Sequence, residues 1–292
     1  MPTTHYICLV IIRIFLFLVL AQHSFCQKID STRALHIAIG SEVLIYGASM
    51  YALNDLWYKD YPKSDFHWIN DNSNWLQMDK FGHATTAYTI GVLGKDILQW
   101  SGVPKQKALW YGGLYGSVYL TTIEVLDGFS KEWGASFGDL LANTAGTALF
   151  IGQELLFNEQ KVQLKYSFAP TSYSNQRPDL LGHNLMQQAL KDYNGQTYWL
   201  SIGIDNIVHT SLPKWLNVAF GYGANGMYNG TKNDLNRTRE YYLSLDINLR
   251  KVETNSTFLN KALKVLGFIK IPMPALKFSD HTVTFYGFHY GQ

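Results

Sequence analysis

The chain has 292 residues, with 24 Lys or Arg against 22 Asp or Glu and a formal net charge of +2. This balance gives no polybasic surface for nucleic acid, so we exclude nucleic acid as a partner. Aromatic residues make up 15% and charged residues only 16% of the chain, a composition typical of contact with lipid or with an extended aromatic surface. The length allows two domains.

The first 26 residues are predicted to be a secretory signal peptide. An apolar run over residues 7–21 is followed by small residues, Ser24 and Cys26, at the positions that a signal peptidase reads. The run is shorter than the ~20 residues that span a bilayer. We expect cleavage before Gln27. Lipidation of Cys26 is the second alternative, because the preceding "HSF" lacks the small residue expected before a lipidated cysteine. A retained anchor helix is the third.

Both cysteines of the chain, Cys8 and Cys26, lie in this leader. The cleaved chain would hold no thiol, which excludes disulfides, cysteine-ligated zinc and a cysteine nucleophile. Such a chain is compatible with an oxidising envelope compartment.

Residues 34–157 contain four apolar stretches of helical length. Each approaches the ~20 residues that cross a hydrocarbon core. Each also holds a polar residue: Glu42, Asp96, Glu124 and Asp139 respectively. We predict an up-down four-helix bundle over residues 27–157 that associates with a membrane. A soluble bundle with an ordinary core is the alternative.

Small residues recur four apart in two of these helices. Gly112 and Gly116 lie in the third, and Ala142 and Gly146 in the fourth. Such spacing places small side chains on one helix face, where two backbones can approach closely. We therefore predict tight helix contacts at both positions.

Residues 158–292 change to an alternating pattern, which predicts strands. In "YYLSLDINLR" one face carries the apolar residues Leu243, Leu245, Ile247 and Leu249, and the other carries Ser244, Asp246, Asn248 and Arg250. The segments "KVQLKYSF", "YWLSIGID", "WLNVAFGYG" and "HTVTFYGFHY" alternate more loosely, and "STFLNKALKVLGFI" predicts one inserted helix.

These segments predict an antiparallel sheet of five or six strands packed on the helices. The alternative is a partial or complete outer-membrane barrel with aromatic strand ends, but the smallest such barrels need ~8 strands. The predicted fold class is therefore α+β, with a helical bundle followed by an antiparallel β-rich half.

Polar side chains gather at the ends of three predicted helices. Asp79 and His83 share a helix face with Lys80 beside them, and Glu124 and Asp127 end the third helix. A stripe of Ser136, Asp139, Asn143 and Gly146 opens the fourth. In an up-down bundle these three ends lie on the same side, so we predict that they form one polar cluster.

A catalytic interpretation of this cluster uses Asp79, His83, Glu124 and Asp139. Their oxygen and nitrogen atoms suit a divalent metal that activates water, and neighbouring carboxylates can also divide into one acid and one base. Either version gives a hydrolase. Ser136 is a weak candidate nucleophile, because "GASFG" is more typical of a helix cap than of a strained elbow.

In the structural interpretation the same groups hold the helices together. Lys80 pairs with an acid, His83 bonds Glu124 or Asp127, and Asn143 bonds helix-end carbonyls. We favour this interpretation, because the sequence has no two-histidine spacing of the kind that makes metal motifs specific.

The motifs resemble those of the YfiM-like predicted periplasmic lipoproteins, domain-of-unknown-function family 2279. That family pairs an Asp-Lys-x-x-His element with a later acidic pair and a Ser-x-x-Asp-x-x-x-Asn-x-x-Gly helix. Within residues 79–152 of this chain, the first element is matched by Asp79, Lys80 and His83, and the acidic pair by Glu124 and Asp127. The helix is matched by Ser136, Asp139, Asn143 and Gly146. The layout is also similar to VanZ-like membrane proteins, and the strand-bearing half is similar to an extended Bacteroidetes-type form. The resemblance implies an envelope location and a helical bundle, and no established activity.

We therefore expect a membrane-associated protein of the cell envelope, facing the periplasm, with a structural or interaction role. Its expected partners are membrane lipid or another envelope protein. The alternative is a metal-dependent or acid/base hydrolase acting on an envelope lipid or glycan, with a divalent metal as the only cofactor that the residues suggest. A transport role ranks last, because the charges gather at helix ends. The sequence leaves open which membrane is involved.

Overall fold

The computed structural model describes residues 31–59, 61–208, 211–230 and 237–289. Helices fill the N-terminal half and an antiparallel sheet the C-terminal half, so the fold is α+β as predicted. The predicted signal peptide lies outside the described residues.

Four long helices coincide with the four predicted stretches: α1 (Ser31–Leu53), α2 (Met78–Trp100), α3 (Lys105–Gly128) and α4 (Phe137–Phe157). A short π-helical turn, Asn54–Tyr58, extends α1. Within the described part of the chain, α4 alone is long and apolar enough to cross a membrane, a property that core helices of soluble proteins share. The bundle arrangement and the membrane association of the helices stay predictions.

Contacts divide the chain into two compact units. The first comprises Met1–Ile69 and Ile90–Leu140, and the second comprises Asn70–Thr89 and Leu141–Gln292. The division therefore falls inside the continuous helices α2 and α4. The predicted domains, residues 27–157 and 158–292, stay a prediction.

In the first unit, α2 and α3 meet at glycines. A Cβ atom added to Gly94 would lie 2.8 Å from the carbonyl oxygen of Gly112, and one added to Gly112 would lie 2.5 Å from the carbonyl carbon of Gly94. Gly112 therefore lies at a close helix contact, as its spacing from Gly116 predicts. Helix α1 is joined to α3 by the Tyr115 hydroxyl, which donates to the Glu42 carbonyl oxygen at 3.1 Å.

A small parallel bridge fixes the start of α4 in the same unit. Strand β1 (Trp68–Ile69) pairs with β2 (Ala135–Ser136), with Trp68 opposite Ala135. The backbone N–H of Ala135 donates to the His67 carbonyl oxygen at 3.0 Å. This bridge leads directly into α4 and so positions Ser136 at the helix N-terminus.

In the second unit, six strands form one antiparallel sheet in chain order. They are β3 (Val162–Phe168), β4 (Gln196–Gly203), β5 (Leu216–Asn225), β6 (Thr238–Ile247), β7 (Met273–Ser279) and β8 (Thr282–His289). This number agrees with the predicted five or six, although β7 was not among the predicted segments. Three short helices precede β4: α5 (Tyr173–Gln176), α6 (Pro178–Leu181) and α7 (Leu185–Lys191).

Two sequence predictions for this half need adjustment at their ends. Strand β6 stops at Ile247, so Leu249 and Arg250 lie in a following 3-10 turn and not on the strand faces. The capping side chain of Asn248, which accepts from the Arg250 N–H at 3.1 Å, explains this stop. The inserted helix, α8, covers Thr257–Val265, shorter than the predicted segment.

The sheet buries the face that carries its polar residues. We call this the inner face; Lys165, Ser201 and Asp246 on it are fully buried. The opposite, outer face carries apolar residues, of which Phe220 is 50% and Phe285 67% exposed. Alternation therefore predicted correctly which residues share a face, but it does not determine which face is buried.

The outer face meets the start of α2 near one border of the sheet. Met78 is fully buried and packs with Tyr198 of β4 in one apolar cluster. The Tyr222 hydroxyl of β5 donates to the Leu76 carbonyl oxygen at 2.5 Å, and a Cβ on Gly82 would lie 2.8 Å from the Tyr198 hydroxyl oxygen. These contacts bear out the expectation that sheet and helix pack together, and they fix the segment that carries Asp79, Lys80 and His83.

Candidate functional site

Lys80 neutralises two carboxylates at the start of α2. Its ammonium lies 2.7 Å from Asp71 Oδ1 and 2.9 Å from Asp79 Oδ2, and all three side chains are largely buried. Asp79 lies in the first turn of α2, where the helix dipole favours an acid. The predicted pairing of Lys80 with an acid is thus present, and Asp71 is a second partner that the sequence did not single out.

His83 bonds to the fourth helix within the same unit. Its Nδ1 lies 3.0 Å from the side-chain oxygen of Asn143, which is itself buried. Because an amide oxygen only accepts, this bond requires a proton on Nδ1. The sequence predicted Glu124 or Asp127 as the partner of His83 and did not predict this bond to Asn143.

A close backbone contact lies beside this hydrogen bond. A Cβ atom on Gly146 would overlap the carbonyl oxygen of Ala84, the residue after His83. Asn143 and Gly146 are three apart and so share one face of α4. The Asn-x-x-Gly spacing therefore has a physical reason, because the asparagine bonds α2 where the glycine allows its backbone to approach.

In the first unit, Glu124 at the end of α3 is hydrogen-bonded to Ser136 at the start of α4. The Glu124 carboxylate, only 3% exposed, accepts from the backbone N–H of Ser136 at 2.9 Å. Ser136 Oγ in turn accepts from the backbone N–H of Asp139 at 3.2 Å. Ser136 is therefore a helix cap, as its sequence context predicts. Asp139 is buried in the first turn of α4.

Asp127 connects the end of α3 with the extension of α1. The Tyr58 hydroxyl donates to Asp127 Oδ1 at 2.7 Å. Burial and the adjacent Asp127 carboxylate raise the pKa of Tyr58, so the phenol stays protonated and keeps donating. Asp127 thus has a partner in the same unit that its sequence spacing did not indicate.

The contacts inside each unit thus bring together two groups of the predicted residues. Asp79, Lys80, His83 and Asn143 belong to one unit, and Glu124, Asp127, Ser136 and Asp139 to the other. That all eight form a single cluster stays a prediction, as does a metal bound by Asp79, His83, Glu124 and Asp139. Carboxylates are the ligands that hard divalent cations prefer, but next to Asp79 the Lys80 ammonium already supplies positive charge.

The inner face of the sheet holds a second polar group that the sequence did not single out. Lys165 Nζ lies 2.7 Å from Asp246 Oδ2, and neither side chain is exposed. Lys270 Nζ lies 3.9 Å from the other oxygen of Asp246 and donates to Ser244 Oγ at 3.1 Å. Burial lowers the pKa of Lys165, although the adjacent Asp246 carboxylate raises it in part. Burial also lowers the pKa of Lys270, to about 8.

Three aromatic rings surround His289 at the end of this group. Its ring centroid lies 4.4 Å from that of Tyr242, 5.7 Å from Trp199 and 5.5 Å from Tyr286. Neither ring nitrogen has a hydrogen-bond partner among the described residues. Burial, followed by the charge of Lys270, lowers the pKa of His289 from 6.5 to about 4. The sequence feature that could have indicated this buried polar group is the presence of charged residues, Lys165 and Asp246, in the middle of predicted strands.

The segment that carries the motif residues is similar to a known family of proteins. Residues 65–153 match the family model of predicted periplasmic lipoproteins, DUF2279. The matched segment contains all eight candidate residues and ends before the sheet begins. The family description is consistent with a cell-envelope location. No curated protein and no solved structure matches the chain.

Proposed function

We propose that this chain is a periplasm-facing, membrane-associated envelope protein whose motif residues lock its helices together and perform no catalytic step. The observation that carries the proposal is the pairing of Lys80 with both Asp71 and Asp79. A lysine held between two acids supplies the charge that they need when buried, and leaves less reason for a cation there.

The other motif residues support the same role. Ser136 caps α4, Glu124 holds the capping residue, and Asn143 bonds His83 of α2. The bond between Asn143 and His83 joins residues 60 apart in sequence, and the bond from Ser136 to Glu124 joins the start of α4 to the end of α3. Satisfied polar contacts of this kind fix the packing of helices in places that water does not reach.

The family description supports the location. Residues 65–153 match predicted periplasmic lipoproteins, and an exported leader over residues 1–26 would deliver the chain to the envelope. We further propose an extended YfiM-like form with a VanZ-like motif layout, in which the sheet is the addition. Its proposed partners are membrane lipid or another envelope protein.

A metal-dependent or acid/base hydrolase acting on an envelope lipid or glycan is a second candidate. The observation in its favour is the burial of three candidate carboxylates, Asp79, Glu124 and Asp139. Buried charges in proteins are either paired or bind metals. In this version these carboxylates and His83 would provide the ligands and the acid/base groups.

Metal analysis and thermal unfolding of the purified full chain separate the two candidates. For the structural role we expect no stoichiometric metal, an unchanged melting temperature after treatment with EDTA, and a lower melting temperature for both Lys80→Met and His83→Ala. Lys131→Met, an exposed lysine outside the motif, is the matched control. Stoichiometric metal that is lost in His83→Ala, together with destabilisation by EDTA, would overturn the structural proposal. Separation of inner and outer membranes tests the location.

A further inference from the structure

The registers of the sheet align apolar side chains into a continuous row on its outer face. The row crosses all six strands, one residue from each: Leu164, Leu200, Phe220, Leu243, Leu276 and Phe285. Directly opposed residues of neighbouring strands lie about 5 Å apart, so the row is one unbroken surface. Phe220 and Phe285 within it are at least half exposed.

Two further rows flank this one. On one side lie Val162, Ile202, Val218 and Leu245, followed by Leu216 and Ile247. On the other side lies a mostly aromatic row, made of Tyr166, Tyr198, Tyr222, Tyr241, Phe278 and Val283. On the outer face of β6, the first charged side chain beyond the aromatic row is that of Arg239, which donates to the Gln77 side chain at 2.9 Å. We call the surface from residue 241 to residue 247 of β6, with its exposed neighbours in register, the apolar band. Tyr166, Tyr198 and Tyr222 are not part of it, because they pack in the cluster around Met78 at the start of α2.

The band has the layout of a membrane-facing surface. It carries no charged side chain, and an aromatic row with an arginine beyond it forms one border. Aromatic rings and arginines favour the interface between hydrocarbon and water. Its height along β6 is six residue steps, about 20 Å at ~3.4 Å per residue, enough to cover one leaflet of a ~30 Å hydrocarbon core.

The polarity of the sheet is the reverse of that in a soluble protein. The inner face buries Lys165 and Asp246 completely, while Phe285 and Val283 of the outer face are 67% and 63% exposed. A protein partner would be expected to exchange hydrogen bonds with this surface, about one per 100–200 Å². The band offers no polar group except the tyrosine hydroxyls at its border, and acyl chains need none.

We propose that the apolar band lies in the hydrocarbon of a bilayer. The edge of β3 is partly closed, because the Lys270 N–H donates to the Tyr166 carbonyl oxygen at 2.9 Å. The other end of the described sheet, β8, pairs only with β7. Because an open edge is not tolerated across a bilayer, the contact is with one leaflet and the sheet does not span. The proposal rests on the membrane association proposed above and names the surface responsible for it.

Site-specific labelling tests this placement. Both native cysteines lie in the first 26 residues, so Cys8→Ser and Cys26→Ser give a cysteine-free full chain without an acylation site. Single cysteines are then introduced by Phe220→Cys, Leu243→Cys and Phe285→Cys. Leu185→Cys in α7 is the matched control, because this leucine is as exposed as the band residues but lies outside the sheet. Each is labelled with an environment-sensitive fluorophore and reconstituted in phosphatidylethanolamine–phosphatidylglycerol vesicles.

We expect the three band positions to show blue-shifted emission, loss of fluorescence with acyl-chain nitroxide lipids and little loss with iodide. The Leu185 position should show the reverse. Quenching by iodide at all four positions would overturn the inference, because water would then reach the band. Exclusion of both quenchers from the band positions would also overturn it, because protein, including a second copy of the chain, would cover the surface.

Fractionation of the labelled chain keeps the two proposals apart. A chain that stays with membranes while its band labels are not quenched by nitroxide lipids contradicts only the placement of the band. A chain recovered entirely in the soluble fraction contradicts the proposed membrane association as well.

Discussion

Lys165 of β3 and Asp246 of β6 lie three positions apart in the strand order, yet their side chains form an ion pair of 2.7 Å that is wholly buried. The sheet must therefore curl so that its inner face closes on itself. Asp246 also faces Lys270 at 3.9 Å. One carboxylate thus serves two buried ammonium groups.

This arrangement predicts that replacing Asp246 lowers the free energy of unfolding more than replacing Lys165 does. Asp246→Leu leaves two buried lysines without their shared carboxylate and should destabilise by about 3–5 kcal/mol. Lys165→Met should cost less, because Lys270 still faces Asp246. Denaturant unfolding followed by tryptophan fluorescence gives both values. Equal costs for the two variants would mean that Lys270 does not compensate Asp246.

The contact between Gly146 and Ala84 predicts that a single methyl group disturbs α4. Gly146→Ala should destabilise by about 1–3 kcal/mol, because the added Cβ overlaps a backbone oxygen that cannot move aside easily. Gly152→Ala on the same helix is the control, since no atom lies within 4 Å of its Cβ position. That variant should be neutral or stabilising by up to about 1 kcal/mol. Thermal unfolding of both variants would contradict this account if their shifts had the same sign and size.

Two substitutions of Glu124 distinguish a role in holding the Ser136 cap from a role as a metal ligand. Glu124→Ala removes the acceptor of the Ser136 N–H and should cost about 2 kcal/mol. Glu124→Gln keeps an acceptor oxygen and should retain part of that stability, although it would abolish a carboxylate ligand. Glu132→Ala, at an exposed acid nearby, should have little effect. If Glu124→Gln proves as unstable as Glu124→Ala and the native chain holds a metal, the capping role is insufficient.

His289 predicts a pH dependence of stability in a defined window. Its pKa is about 4 in the folded chain against 6.5 for the ordinary group, so between these values the unfolded chain binds a proton that the folded chain does not. Stability from this residue is complete above pH 6.5 and falls as the pH drops toward 4, by about 3 kcal/mol in total.

The test compares unfolding free energies of the native chain and His289→Phe between pH 4 and 7. The difference between the two proteins should change most within this window. The nearby charges Lys270, Lys277 and Glu240 remain in both proteins, so their contributions cancel. A difference that stays constant with pH would show that His289 is not held neutral.

The sequence predicted the helices and the helix cap because these depend on local chemistry. Apolar stretches of helical length located α1 to α4, and the "GASFG" context identified Ser136 as a cap. The Asn143 bond to His83 was missed, because residues 60 apart are brought together only by the packing of α2 on α4. Asp71 was missed because it lies in the loop before the helix.

The buried face of the sheet and the strand β7 could not be predicted from the sequence pattern alone. Alternation in "YYLSLDINLR" separates Leu243 from Ser244, but parity is symmetric and does not say which side faces solvent. The ordinary assumption buries the leucines, whereas the structure buries Ser244 and Asp246. Strand β7 was missed because Pro274 near its start weakens the strand pattern.

The order of the strands also decides when the buried ion pair can form. Each strand pairs with the next one in the chain, so the sheet can grow by adding hairpins one at a time. Lys165 is supplied by the first strand and Asp246 by the fourth, and their pairing closes a loop of some eighty residues. Until β6 has joined, Lys165 can stay hydrated at the open face, and the loss of its water shell is deferred until its carboxylate partner arrives.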